Sequence, residues 1–138
     1  MLSRIDHIGI AVRDLDAAIQ VYERRLGLQV SGRERLESEG IEIAMIAIGE
    51  SRIELITPLN SDSKVEKFLQ ERGEAVHHVA YATENVGASL QRAAIGGAQL
   101  LDGAARPGAH GTQIGFVHPK SVCGVLTEFV QADGETGA

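Results

Sequence analysis

The sequence predicts an α+β fold made of two tandem βαβββ units, and three observations carry that prediction. The chain has 138 residues, 43% of them hydrophobic and 23% charged, which suits one ordinary domain. Its first part alternates short β-branched segments with a single amphipathic helix, in the order strand, helix, three strands. After Gly73 the same order begins again.

The elements follow in turn. Ile5 to Val12 is a short apolar run ended by Arg13-Asp14 and reads as a strand. Asp14 is placed to cap a helix in which Leu15, Ala18, Ile19, Tyr22 and Leu26 recur at helical spacing, with Gly27 as its left-handed stop. Leu28 to Arg33, Ile41 to Ile48 and Arg52 to Thr57 complete the first unit, about residues 4–58, as three strands separated by glycine-containing turns. Pro58-Leu59-Asn60-Ser61-Asp62 breaks the pattern. In the linker, about residues 59–74, Ser63 caps a short helix whose apolar face is Val65, Phe68 and Leu69. The second unit, about residues 75–131, opens with a strand from Val76 to Thr83. A helix follows, capped by Asn85 and carrying Val86, Leu90, Ala93 and Ala94 inward until Gly96-Gly97 ends it. Gln99 to Leu101, Gln113 to His118 and Gly124 to Gln131 are its remaining strands, and Ala132 to Ala138 forms a polar, frayed tail.

Composition narrows the function. Thirteen Lys and Arg against nineteen Asp and Glu leave a net charge of −6, which repels phosphate backbones, so an anionic ligand needs a local basic patch or a bound cation. No tryptophan and 4% aromatics argue against a base-stacking platform. No run approaches the roughly 18 apolar residues of a spanning helix. Met1 to His7 shows no basic segment leading into an apolar stretch, so no signal peptide is expected. A single cysteine, Cys123, excludes a disulfide framework within the chain and suits a reducing compartment, giving a cytoplasmic expectation.

The two halves align directly. Asp6-His7-Ile8-Gly9-Ile10-Ala11-Val12 matches His77-His78-Val79-Ala80-Tyr81-Ala82-Thr83, and Ile53-Glu54-Leu55-Ile56 matches Thr127-Glu128-Phe129-Val130. The histidines lie 71 positions apart (7 to 78) and the glutamates 74 (54 to 128), so a three-residue loop difference reconciles the copies. A lone histidine at the start of a strand is ordinarily a hydrogen-bonding residue, but a glutamate inside an apolar strand is costly without a partner. Repetition of both at matched places points to a shared site. Two imidazoles and two carboxylates suit a divalent transition ion such as Co, Mn, Ni, Fe or Zn. His77 must face away from His78 on its strand, His110 and His118 read as structural or ligand-contacting rather than metal-binding, and Cys123 as a buried or incidental thiol.

These residues resemble the vicinal oxygen chelate (glyoxalase/bleomycin resistance) superfamily and, within it, the methylmalonyl-CoA epimerase family. The resemblance spans about residues 5–131 and is carried by Asp6-His7-Ile8-Gly9-Ile10-Ala11-Val12, Pro58-Leu59-Asn60-Ser61-Asp62-Ser63 with Phe68-Leu69, Val76-His77-His78-Val79-Ala80, and His118-Pro119-Lys120-Ser121 followed by Gly124-Val125-Leu126-Thr127-Glu128. It implies a sheet curled into a partial barrel around a metal cleft, with His7, Glu54, His78 and Glu128 as ligands of a divalent ion (Co, Mn, Ni or Zn). It further implies epimerisation of methylmalonyl-CoA, an acyl-CoA substrate, through an enolate, in a homodimer. Glu128 is the first candidate acid/base. The family places a second glutamate two residues before the methionine of a segment like Gly-Val-x-Glu-Ala-Met, where this chain has Ile43 in Gly40-Ile41-Glu42-Ile43-Ala44-Met45. The candidates for the second acid/base are Glu42, provided that a bulge re-aims it because one residue along a strand reverses the face, another carboxylate, or a water. Lys120, Ser121 and Arg106 are candidate contacts for anionic parts of the substrate. The competing functions are a glyoxalase I-like lyase using the same quartet, a non-catalytic binding module of the bleomycin-resistance type, which needs no quartet, and a ring-cleaving dioxygenase, which needs one carboxylate fewer.

Overall fold

The computed structural model describes residues 1–132. The expected tail from Ala132 lies outside them except for its first residue. The fold is α+β, with β1 (Leu2–Ala11), α1 (Leu15–Leu26), β2 (Val30–Leu36), β3 (Ile41–Ile48), β4 (Ser51–Pro58), α2 (Lys64–Arg72), β5 (Ala75–Thr83), α3 (Val86–Ile95), β6 (Arg106–Pro107), β7 (Gln113–Val117) and β8 (Thr127–Gln131). The described residues form two compact units, one of His7–His77 and one of Met1–Asp6 with the residues from His78 on. None of the described helices is long and apolar enough to cross a membrane.

In the first unit the strands lie in the order β2-β3-β4-β1, with β4 parallel to β1 and β3 antiparallel to both neighbours. In the second the order is β6-β7-β8-β5, with β8 parallel to β5. The topology therefore repeats, as the duplication requires. Each sheet buries one face against its helix. Val12, Leu15, Ala44, Ile46 and Leu55 form the core under α1, and Val86, Leu90, Val117 and Phe129 form the core under α3. The opposite faces carry His7 with Glu54 and His78 with Glu128.

Local signals set the helices. The Asp14 carboxylate accepts from Ala17 N, the Ser63 hydroxyl from Val65 N and the Asn85 amide oxygen from Ala88 N, so each helix has the cap its sequence announces. Gly27 at φ 71° closes α1, with its own N–H on Glu23 O and the N–H of Leu28 on Tyr22 O. That last bond ties Leu28 to the helix end, which is why β2 starts at Val30 rather than Leu28.

Two strands depart from expectation. Gln99 to Leu101 contributes only an isolated bridge between Leu100 and Val117, and the edge strand falls instead at Arg106–Pro107. The reason is Asp102, whose Oδ2 accepts the N–H of Phe116 at 2.8 Å and so replaces a backbone partner in the ladder. The last strand begins at Thr127, not Gly124, because Cys123 (φ 55°) and Gly124 (φ 91°) are left-handed and close a 3-10 turn over Pro119–Val122.

Candidate metal centre

Each ligand pair is produced by one register. Gly9 stands opposite Glu54 in the parallel β1–β4 pair, and Ala80 stands opposite Glu128 in the parallel β5–β8 pair. His7 and His78 lie two residues before those small partners and therefore on the same face. With no side chain at Gly9 and only a methyl at Ala80, each carboxylate can turn toward its imidazole. His7 Nε2 lies 3.5 Å from Glu54 Oε2, with the side chains 5% and 9% exposed. His78 Nε2 lies 3.1 Å from Glu128 Oε1, with the side chains 4% and 6% exposed. Burial of a carboxylate is unfavourable unless a cation or donors compensate it. In each unit a buried carboxylate oxygen lies beside an imidazole nitrogen, and both are ligand types that suit a divalent transition ion.

A match to the glyoxalase/bleomycin resistance protein/dioxygenase superfamily spans residues 6–116. The chain is 35% identical to the ethylmalonyl-CoA/methylmalonyl-CoA epimerase of Cereibacter sphaeroides, over 95% of its own length and 99% of the relative's. Streptomyces coelicolor methylmalonyl-CoA epimerase, solved in complex with 2-nitronate-propionyl-CoA, superimposes with a TM-score of 0.93 at 40% identity, covering 97% of both chains. A methylmalonyl-CoA epimerase solved with methylmalonyl-CoA and ammonium superimposes with a TM-score of 0.94 at 39% identity, covering 99% of both. The chain belongs to the methylmalonyl-CoA epimerase family. It is accordingly an isomerase, with the glyoxalase-type fold that the resemblance implied.

The remaining candidates separate once the epimerase's register is read. The β3–β4 ladder gives Glu42 no bulge to re-aim it. The β3–β4 pairing runs from Ile41–Pro58 to Ile48–Ser51 without a bulge, placing Met45 opposite Glu54 and Glu42 opposite Thr57. Ile43 and Met45 therefore share the face of Glu54, and Glu42 is on the other. There its Oε2 accepts from Arg33 at 3.1 Å, while Arg33 also bonds Asp16 of α1 at 2.6 Å. These two carboxylates raise the Arg33 pKa, Asp16 contributing most.

The other predicted contacts lie in the second unit. Arg106 Nε donates to Asp102 Oδ1 at 2.9 Å, and its guanidinium sits 5.7 Å from the centre of the Phe116 ring. The Phe116 ring in turn meets the His78 ring edge-on at 5.7 Å. Asp102 and Phe116 were not flagged by the sequence. Their one local signal was Phe116 as an aromatic two residues before His118, and the contact with His78 depends on pairing across β7, β8 and β5. Lys120 and Ser121 are exposed, on the 3-10 turn before β8. The Ser121 hydroxyl accepts from Gln99 N at 2.8 Å, and the Lys120 N–H donates to His118 Nδ1 at 3.0 Å, so His118 caps the turn. His77 packs edge-on to Phe68 at 4.9 Å. Cys123 is exposed, which leaves the incidental of its two expected readings.

Proposed function

We propose that this chain interconverts (2R)- and (2S)-methylmalonyl-CoA by removing and returning the α-proton, with one divalent ion held by His7, Glu54, His78 and Glu128. The observation that carries this reading is the repetition of a buried His–Glu pair at equivalent registers, at 3.5 and 3.1 Å, in a member of an epimerase family. When bound, the ion supplies Lewis-acid stabilisation for the negative charge that develops on the thioester oxygen as the proton leaves. Cobalt, manganese, nickel and zinc all accept this mixed nitrogen and oxygen donor set.

The chain's own residues do the rest. Glu128 moves the proton at one face of the α-carbon. Arg106, held by Asp102 and Phe116, together with Lys120 and Ser121, attracts the anionic groups of the acyl-CoA, which the overall negative charge of the protein would otherwise repel. A homodimer is the assembly implied by the family resemblance, and sedimentation of the full chain tests it.

Deuterium uptake at the α-carbon of methylmalonyl-CoA in heavy water, with cobalt added and with a chelator, tests the reaction. The expected result is metal-dependent uptake above the uncatalysed rate together with interconversion of the epimers. Turnover of a glutathione hemithioacetal without such uptake would favour the lyase chemistry instead.

A further inference from the structure

Inversion at the α-carbon needs proton transfer on both faces, yet Ile43 carries no acid/base group and the neighbouring Glu42 is turned away from the face of Glu54. The register of β2 supplies another carboxylate. Glu34 stands directly opposite Ile43 in the antiparallel β2–β3 pair, between Arg33–Ala44 and Arg35–Glu42. The irregularity in that ladder lies earlier, between Val30 and Gly32, so it does not disturb the placement. Directly opposed residues share a face of the sheet. Glu34 is therefore on the same side as Ile43, Ile56, Met45 and Glu54.

Burial agrees. Along β2, Glu34 is half-buried while its neighbours Arg33 and Arg35 are exposed, the alternation of a strand whose two faces are unequally covered. Of the strand residues on that face of the first unit, Glu34 and Glu54 are the carboxylates. Opposed β-carbons lie about 4.5–5.5 Å apart. The β-carbon of Glu34 is therefore a near neighbour of that of Ile43.

We propose that Glu34 is the second acid/base of the epimerisation, an inference that rests on the epimerase reading above. The Glu34 carboxylate takes the α-proton from one face of the substrate. The C–H bond breaks, an O–H bond forms on Glu34, and the electron pair passes into the thioester as an enolate. The C–H bond of the product forms on the opposite face with a proton given by Glu128, and exchange with water returns both residues to their starting states. The reverse reaction uses the two groups in exchanged roles.

The test follows each pure epimer separately in heavy water with the full-length chain, reading α-deuterium uptake and epimer interconversion, with cobalt binding measured in parallel. Glu34→Gln should lower interconversion by about 100-fold or more while leaving cobalt binding unchanged. It should also leave uptake from one epimer, the one whose proton faces the other base, far faster than uptake from its partner. Interconversion at the wild-type rate, or equal uptake from both epimers, would overturn the assignment. Glu34→Asp, which keeps the charge and withdraws the carboxylate by one methylene, covers the case in which the amide does not fold. A loss of about tenfold or more in interconversion with cobalt still bound is expected, and wild-type interconversion overturns the assignment. Absence of uptake in the wild-type chain with cobalt bound would instead overturn the epimerase reading itself, and the role of Glu34 with it.

Discussion

Phe116 stands directly opposite Glu128 across β7 and β8, as Met45 stands opposite Glu54 across β3 and β4. The two copies thus agree in where a bulky side chain flanks the ligand carboxylate but differ in what that side chain is. In the second copy the aromatic ring is held from behind by Arg106 and presents itself to His78. Asp102 fixes both members, through Arg106 Nε at 2.9 Å and the N–H of Phe116 at 2.8 Å. The chain Asp102, Arg106, Phe116, His78 is a mechanical support for the His78 imidazole.

Replacing the ring should therefore loosen the ligand. Phe116→Leu retains apolar bulk but loses the edge contact with His78, and the expected result is metal affinity weakened by about tenfold. Calorimetric titration of the metal-free chain with cobalt measures it, and an unchanged affinity would show that the ring does not hold His78.

Asp102→Ala removes two hydrogen bonds and leaves the N–H of Phe116 without its acceptor. A loss of about 1–3 kcal/mol in unfolding free energy is expected, read from urea denaturation. Unchanged stability would mean that water replaces the carboxylate at no cost.

Glu42→Gln should leave epimerisation within about twofold of wild type, since the carboxylate lies on the helix side of β3 and surface exchanges of this kind change little. Steady-state assay of the variant decides this. A hundredfold loss would place Glu42 at the reaction after all.

Much of this organisation was legible in the sequence for local reasons. Asp14, Ser63 and Asn85 announce three helix starts because a cap needs only a side chain and the next few N–H groups. His7, Glu54, His78 and Glu128 stood out because the chain repeats itself, which turned two common residue types into a matched set. The parts that were missed depend on pairing between strands. Glu42 and Glu34 are both glutamates among β residues, and only the β2–β3–β4 register tells which of them shares a face with Glu54. The short β6 was misplaced because the Asp102 side chain, rather than a backbone group, takes the N–H of Phe116.

Packing behind the site gives a further prediction. A β-carbon added at Gly115 would lie 2.7 Å from Leu90 Cδ1 in the core under α3. Gly115→Ala should cost about 1–3 kcal/mol by overpacking, measured by urea denaturation, while the cobalt affinity of the folded protein stays the same. A variant as stable as wild type would show that Leu90 yields freely.

The central claim is that both His–Glu pairs serve one ion. Cobalt bound per chain, determined by elemental analysis after equilibrium dialysis of the wild type, His7→Ala and His78→Ala, tests it most directly. The account predicts one ion per wild-type chain and severe loss of binding when either histidine is removed. Two ions per chain, or full binding after removal of one histidine, would contradict it.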